Sequence, residues 1–159
     1  MHTAQMSDSL KSLFSELVDG TPESGGFMLN TGDPGLNRSL ERLPASAASA
    51  ISTGGSSIAA HVEHLRYGLS LMNRWSDGEN PFAGADWGAA WQKTTVSESE
   101  WKKLRNDLRA ETERWLAALG TARDVDEMEL RGMIGSIAHL AYHVGAIRQI
   151  DRSARGPAS

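Results

Sequence analysis

Apolar residues return every three to four positions in four separate stretches of this chain, and nowhere do they alternate with period two. The first pattern belongs to helices that each bury one face; the second would be needed for half-buried strands. In the first stretch, Met6 to Val18, Leu10, Leu13, Phe14, Leu17 and Val18 fall on one face, with Ser7 as N-cap and Asp19-Gly20 as the stop. The second runs from about Ser57 to Ser76. Ile58, Val62, Leu65, Leu69 and Met72 share one arc beside a row of His64, Gly68, Leu71 and Trp75, while Glu63, Arg66, Ser70, Asn73 and Arg74 lie opposite. The third opens on Ser97-Glu98-Ser99-Glu100, which has capping-box spacing. It continues through Trp101, Leu104, Leu108, Trp115 and Leu119 to Gly120. The fourth starts at Asp124-Val125-Asp126-Glu127 and runs to about Asp151, with Leu130, Met133, Ile134, Ile137, Leu140, Val144 and Ile147 as its apolar row. Four such helices predict an all-α four-helix bundle.

Between the helices the composition changes. Glycines and prolines crowd residues 20–35, so that stretch reads as loop, with Phe27, Met28 and Leu29 expected to dock on the body. Leu36, Leu40 and Leu43 suggest a short helical piece before Pro44, and residues 45–57 are small and polar. Residues 79–95 form a long connection carrying Trp87 and Trp91, with Asp86 placed to cap a single turn. Long connections near a site often act as covers, which is the role expected of the two tryptophans. One domain over residues 5–151 and a disordered tail at 152–159 are expected.

Composition removes several kinds of chemistry. With no cysteine there can be no disulfide, no Cys-ligated zinc or iron–sulfur cluster and no thiol nucleophile on the chain. A net charge of −4 argues against a nucleic-acid surface. No apolar run is long enough to span a bilayer, and residues 1–14 lack the pattern of a signal peptide. A cytoplasmic protein without membrane or nucleic-acid partners is the expectation.

The histidines carry what chemistry remains. His139-Leu-Ala-Tyr-His143 places two imidazoles one turn apart on the fourth helix, at the margin of its apolar row. Two rings so placed can reach one metal ion. His61 and His64 both fall within the buried arc of the second helix, His61 nearer its centre. Buried imidazoles need a hydrogen bond or a metal, so one can be a ligand and the other a ligand's hydrogen-bond partner. The competing picture has all of them bonded to carbonyls or to Ser57, Ser136 or Tyr142, in a purely structural bundle. Glu129 and Asp151 lie near the histidine side of the last helix, where each is either a hydrogen-bond partner of a ligand or simply a solvated charge.

The segments Ser57-Ile-Ala-Ala-His-Val-Glu-His64-Leu and His139-Leu-Ala-Tyr-His143-Val-Gly145-Ala-Ile147 resemble the DinB/YfiT-like metal-dependent hydrolase superfamily over about residues 5–151. The resemblance implies an up-down-down-up four-helix bundle. It also implies metal ligands at His64, His139 and His143, since the family's first histidine lies seven residues after the Ser or Thr that opens its helix, as His64 follows Ser57. Two features depart from the family pattern. Ala146 stands where a glutamine is usual, and the first helix is interrupted by the Gly/Pro-rich segment at residues 20–35. Members often pair as homodimers, and the wide apolar arc of the second helix agrees with that.

Three neutral imidazoles suit a divalent Zn, Ni or Fe ion and leave positions for water or substrate. The function expected is that of a metal-dependent enzyme on a small-molecule substrate, either a hydrolase or a transferase. Some members resemble S-transferases that use a low-molecular-weight thiol, and here that thiol would have to arrive as co-substrate. The alternative is a non-catalytic, dimeric metal- or ligand-binding bundle.

Overall fold

A computed structural model describes residues 3–51 and 53–154. The described residues form six α-helices and no strand: α1 (Thr3–Asp19), α2 (Gly35–Glu41), α3 (Ala45–Ala48), α4 (Ile58–Ser76), α5 (Glu98–Leu119) and α6 (Glu127–Ile150). None of the helices is long and apolar enough to cross a membrane. The four long ones, α1, α4, α5 and α6, are those expected from the apolar periodicity. Their caps explain where three of them begin. Ser57 accepts from the Ala60 amide, Ser97 and Glu100 close a capping box, and Asp126 and Glu129 close another.

α4 and α1 each pack against both α5 and α6. The shared core holds Phe14, Leu17, Ile58, Val62, Leu108, Leu140 and Ile147, with Trp101 and Trp115 fully buried. Each buried indole has a partner for its N–H: Trp101 donates to the Leu43 carbonyl at 2.7 Å and Trp115 to Ser136 Oγ at 2.8 Å. α4 and α5 lie side by side at a constant register. Ser57 Oγ donates to the Thr94 carbonyl, Asn73 Nδ2 to the Glu111 carbonyl, and Arg114 pairs with Asp77. The chain therefore leaves α4 at Asp77 and returns along it before α5 begins.

Several local expectations need correction. α1 starts earlier than Met6, so Ser7 is no cap: it lies inside the helix and its hydroxyl donates to the Thr121 carbonyl at 3.4 Å. Asn73 is buried, although the wheel puts it on the polar side of α4, because α5 covers that side and the Glu111 carbonyl and carboxylate both take its amide hydrogens. Ile134 is 52 % exposed, because no described helix covers that side of α6. In the Gly/Pro segment Leu29 packs on the core as expected, but Phe27 and Met28 stay exposed and it is the backbone that docks there. Buried Glu16 accepts from the amides of Phe27, Met28 and Leu29 at 2.9, 2.7 and 2.6 Å, while the Phe27 ring stays in solvent. Gly20 and Gly35, both at positive φ, bring the ends of this loop together. A side chain on Gly35 would meet the Gly20 amide nitrogen at 2.3 Å. The disorder expected from residue 152 does not hold for Arg152–Ala154, which form a 3-10 turn that buries Ala154 in the core. The rest of that tail, residues 155–159, lies outside the described residues.

Candidate metal centre

α4 and α6 meet through four imidazoles. His61 and His64 are one turn apart on α4, and His139 and His143 are one turn apart on α6. The rings pair across the helix interface. His61 Nδ1 lies 2.8 Å from His143 Nδ1, and His64 Nε2 lies 3.1 Å from His139 Nε2. Along α6, His143 Nε2 is 3.0 Å from His139 Nε2. The Nε2 atoms of three rings, His64, His139 and His143, thus gather at one place. His61, His64 and His143 are buried, and His139 is the most open of the four.

These three are the residues expected as ligands, and their donor atoms lie within 4.8 Å of one another. A cation fits the arrangement better than protons do. A neutral imidazole has one N–H and one lone pair in its plane. His139 Nε2 faces two other Nε2 atoms and cannot satisfy both with one of either. A divalent ion can accept all three lone pairs, and tetrahedral ligands at Zn–N distances of about 2.0–2.1 Å stand roughly 3.3 Å apart, near the spacings found here. His64 Nδ1 is buried without a hydrogen-bond partner among the described residues, so the polar contacts of that ring are all on its Nε2 side.

Electrostatics agree with a neutral donor set. Burial lowers all four histidine pKa values, and for His64 and His143 the neighbouring imidazoles add to it, bringing them to about 4 and about 3. At neutral pH the rings carry lone pairs, as ligands must.

The side chains that a purely structural cluster would use are engaged elsewhere. Ser57 is held by Thr94, Ser136 donates to the Met133 carbonyl while accepting from Trp115, and Tyr142 is largely in solvent. Glu129 and Asp151 do not reach the imidazoles either. Glu129 closes the cap of α6, and Asp151 accepts from Ser153. Among the described residues, the hydrogen-bond partners of these four imidazoles are other imidazoles.

The connection between α4 and α5 covers the cluster. Its 3-10 turn Ala89–Trp91, opened by Asp86 accepting from the Ala89 amide, seats the Trp91 ring on His64 with centroids 4.4 Å apart. The same indole meets His61 edge-on at 5.1 Å. Trp87 approaches His64 at 5.6 Å, and the Asp86 amide donates to the Tyr67 hydroxyl. Beside His139 a cavity of about 220 Å³ opens between α4 and α6. Sequence alone did not reveal it, although its one visible sign, glycines in mid-helix, was there to read. Comparisons with family models, with curated proteins and with solved structures return no match for this chain.

Proposed function

We propose that this protein is a metal-dependent enzyme of the DinB/YfiT-like kind. It holds one divalent cation on the Nε2 atoms of His64, His139 and His143 and acts on a small molecule. The observation that carries this is the convergence of three Nε2 atoms at separations that hydrogen bonds alone cannot satisfy. An up-down-down-up order of α1, α4, α5 and α6 belongs to the same proposal. Two relationships support it: the constant register of α4 with α5, and the pairing of His61 with His143 and His64 with His139, which runs in opposite directions along α4 and α6.

A cation bound there would supply positive charge that favours the deprotonated form of a coordinating thiol or water. The protein's own residues do the remaining work. Burial keeps the imidazoles neutral, His61 takes the hydrogen on His143 Nδ1, and Trp91 keeps water off the α4 side of the cluster. Of the two reaction types, thiol S-transfer fits better. Activating water calls for a nearby proton acceptor, whereas no carboxylate is a hydrogen-bond or ion-pair partner of these four rings among the described residues. A thiol ionises near pH 8.5 unaided and more readily on a cation. The cavity at His139 favours an enzyme over a bundle whose metal is fully enclosed.

A homodimer and a cytoplasmic location go with this proposal. The apolar arc of α4 is used inside the fold, so what supports a dimer is the exposed Ile134 and Tyr142 on α6.

Elemental analysis of protein made without a histidine tag tests the metal directly. About one divalent ion per chain is expected, lost in His64→Ala and His143→Ala. Metal-free protein that gains none from zinc, nickel or ferrous solutions would overturn the proposal.

A further inference from the structure

We infer that the cavity beside His139 is a binding subsite for an uncharged apolar group, about the size of one six-membered ring, on the molecule whose polar end reaches the imidazole cluster. This rests on the proposed metal site only for the polar end; the cavity's own chemistry is independent of it. Its volume of about 220 Å³ exceeds the roughly 150 Å³ of a dry, leucine-lined cavity that takes benzene. Leu65, Leu69, Leu140 and Trp87 form its walls, and no charged side chain lines it. The one hydroxyl there, Ser136 Oγ, already donates to the Met133 carbonyl and accepts from Trp115. Apart from His139 at the cluster end, an anionic or strongly polar group would find no free side-chain partner among these walls.

The glycines show that the space is kept open at a cost to the helices. Gly132 is demanded by packing: a Cβ there would stand 2.6 Å from the Trp75 ring. Gly68 and Gly135 are different. A Cβ on Gly68 would sit at ordinary contact, 3.5 Å from Trp87 and 3.9 Å from His139 Cε1, and one on Gly135 would meet nothing within 4 Å. Neither has a positive φ. Glycine in mid-helix is unfavourable relative to alanine, so neither local geometry nor crowding accounts for these two. What they share is the cavity, whose wall a side chain at either position would thicken. Gly68 in particular leaves room next to the carbon bonded to His139 Nε2, the atom that faces the cluster.

The test uses fluorobenzene as an uncharged probe and 4-fluorobenzyl mercaptan as a probe with a metal-binding end, both followed by fluorine NMR on the full chain. Fluorobenzene should bind chelator-treated protein, and Gly68→Val should weaken it at least tenfold while the helical circular dichroism is unchanged. Gly68→Ala, which fits at ordinary contact, and Gly135→Leu at the mouth should each weaken it severalfold with melting temperatures no lower than wild type. On zinc-loaded protein the mercaptan should bind at least tenfold more tightly than fluorobenzene and lose affinity in the same variants. Fluorobenzene that fails to bind wild type, or binds all three variants equally, overturns the subsite. Zinc that fails to bind while fluorobenzene binding still depends on Gly68 overturns the metal proposal and leaves the apolar subsite standing.

Discussion

His61 and His143 face each other through their Nδ1 atoms at 2.8 Å, which leaves His143 Nε2 free to turn toward His64 and His139. One Nδ1 must donate and the other accept. If His143 Nε2 gives its lone pair to a cation, its hydrogen sits on Nδ1 and His61 is the acceptor. His61 then fixes the tautomer and the orientation of a ligand without touching the metal. His61→Ala is therefore expected to keep full metal stoichiometry with affinity lowered about 10–100-fold, whereas His64→Ala loses the metal. Competition against a chromogenic chelator measures both; the reverse outcome would make His61 the ligand.

Trp91 lies flat on His64 and edge-on to His61. Truncating it to alanine removes the apolar cover on the α4 side and should speed metal release to excess chelator by about tenfold, since the shell around a site governs solvent access. The helical circular dichroism should be unchanged. Release at the wild-type rate would show that the indole only fills space.

Glu16 anchors the loop at residues 20–35 through three amides. Burial opposes its charge, but the bonds from Phe27, Leu29 and Met28 outweigh that and hold the carboxyl below its usual range. A carboxyl lowered on folding adds stability above its unfolded pKa, near 4.5, and loses it as pH falls through the folded value. Glu16→Gln should cost about 2 kcal/mol at pH 7. The gap between the two proteins, read from urea melts, should narrow as pH drops below about 4.5. A gap that holds constant to pH 3 would deny the carboxylate this role.

Ser136 accepts the hydrogen bond of the Trp115 indole N–H, which is fully buried. Ser136→Ala leaves that N–H unpaired and should destabilise the fold by about 1–3 kcal/mol, while Ser136→Thr keeps the acceptor and should recover most of it. Thermal melts of the two variants decide this.

The long helices, and the caps of α5 and α6 though not that of α1, were legible because they depend on residues close in sequence. Ser97 and Glu100 sit on the same turn, and so do His139 and His143. What was missed depends on distances between helices. The wheel for α4 holds no knowledge of α5, so Asn73 looked exposed until Glu111 was seen to receive it. It likewise cannot separate His61 from His64. Both rings are equally buried, and only their orientation across α6 gives one an Nδ1 contact and the other an Nε2 contact. Glu16 gave no signal at all, because its partners are backbone amides 11 to 13 residues away.

The return of the chain along α4 has a consequence for engineering this fold. A helix of 19 residues is about 28 Å long, and the segment from Asp77 to Thr94 must travel that length to reach Ser57 again. Its path crosses the turns that bear His61 and His64, so the cover over the imidazoles follows from the route itself. Shortening that segment would set the two helices out of register and uncover the cluster in one stroke. Grafts or insertions aimed at altering what enters the cavity beside His139 therefore belong on the α6 flank, around Gly135, where the route leaves the surface free.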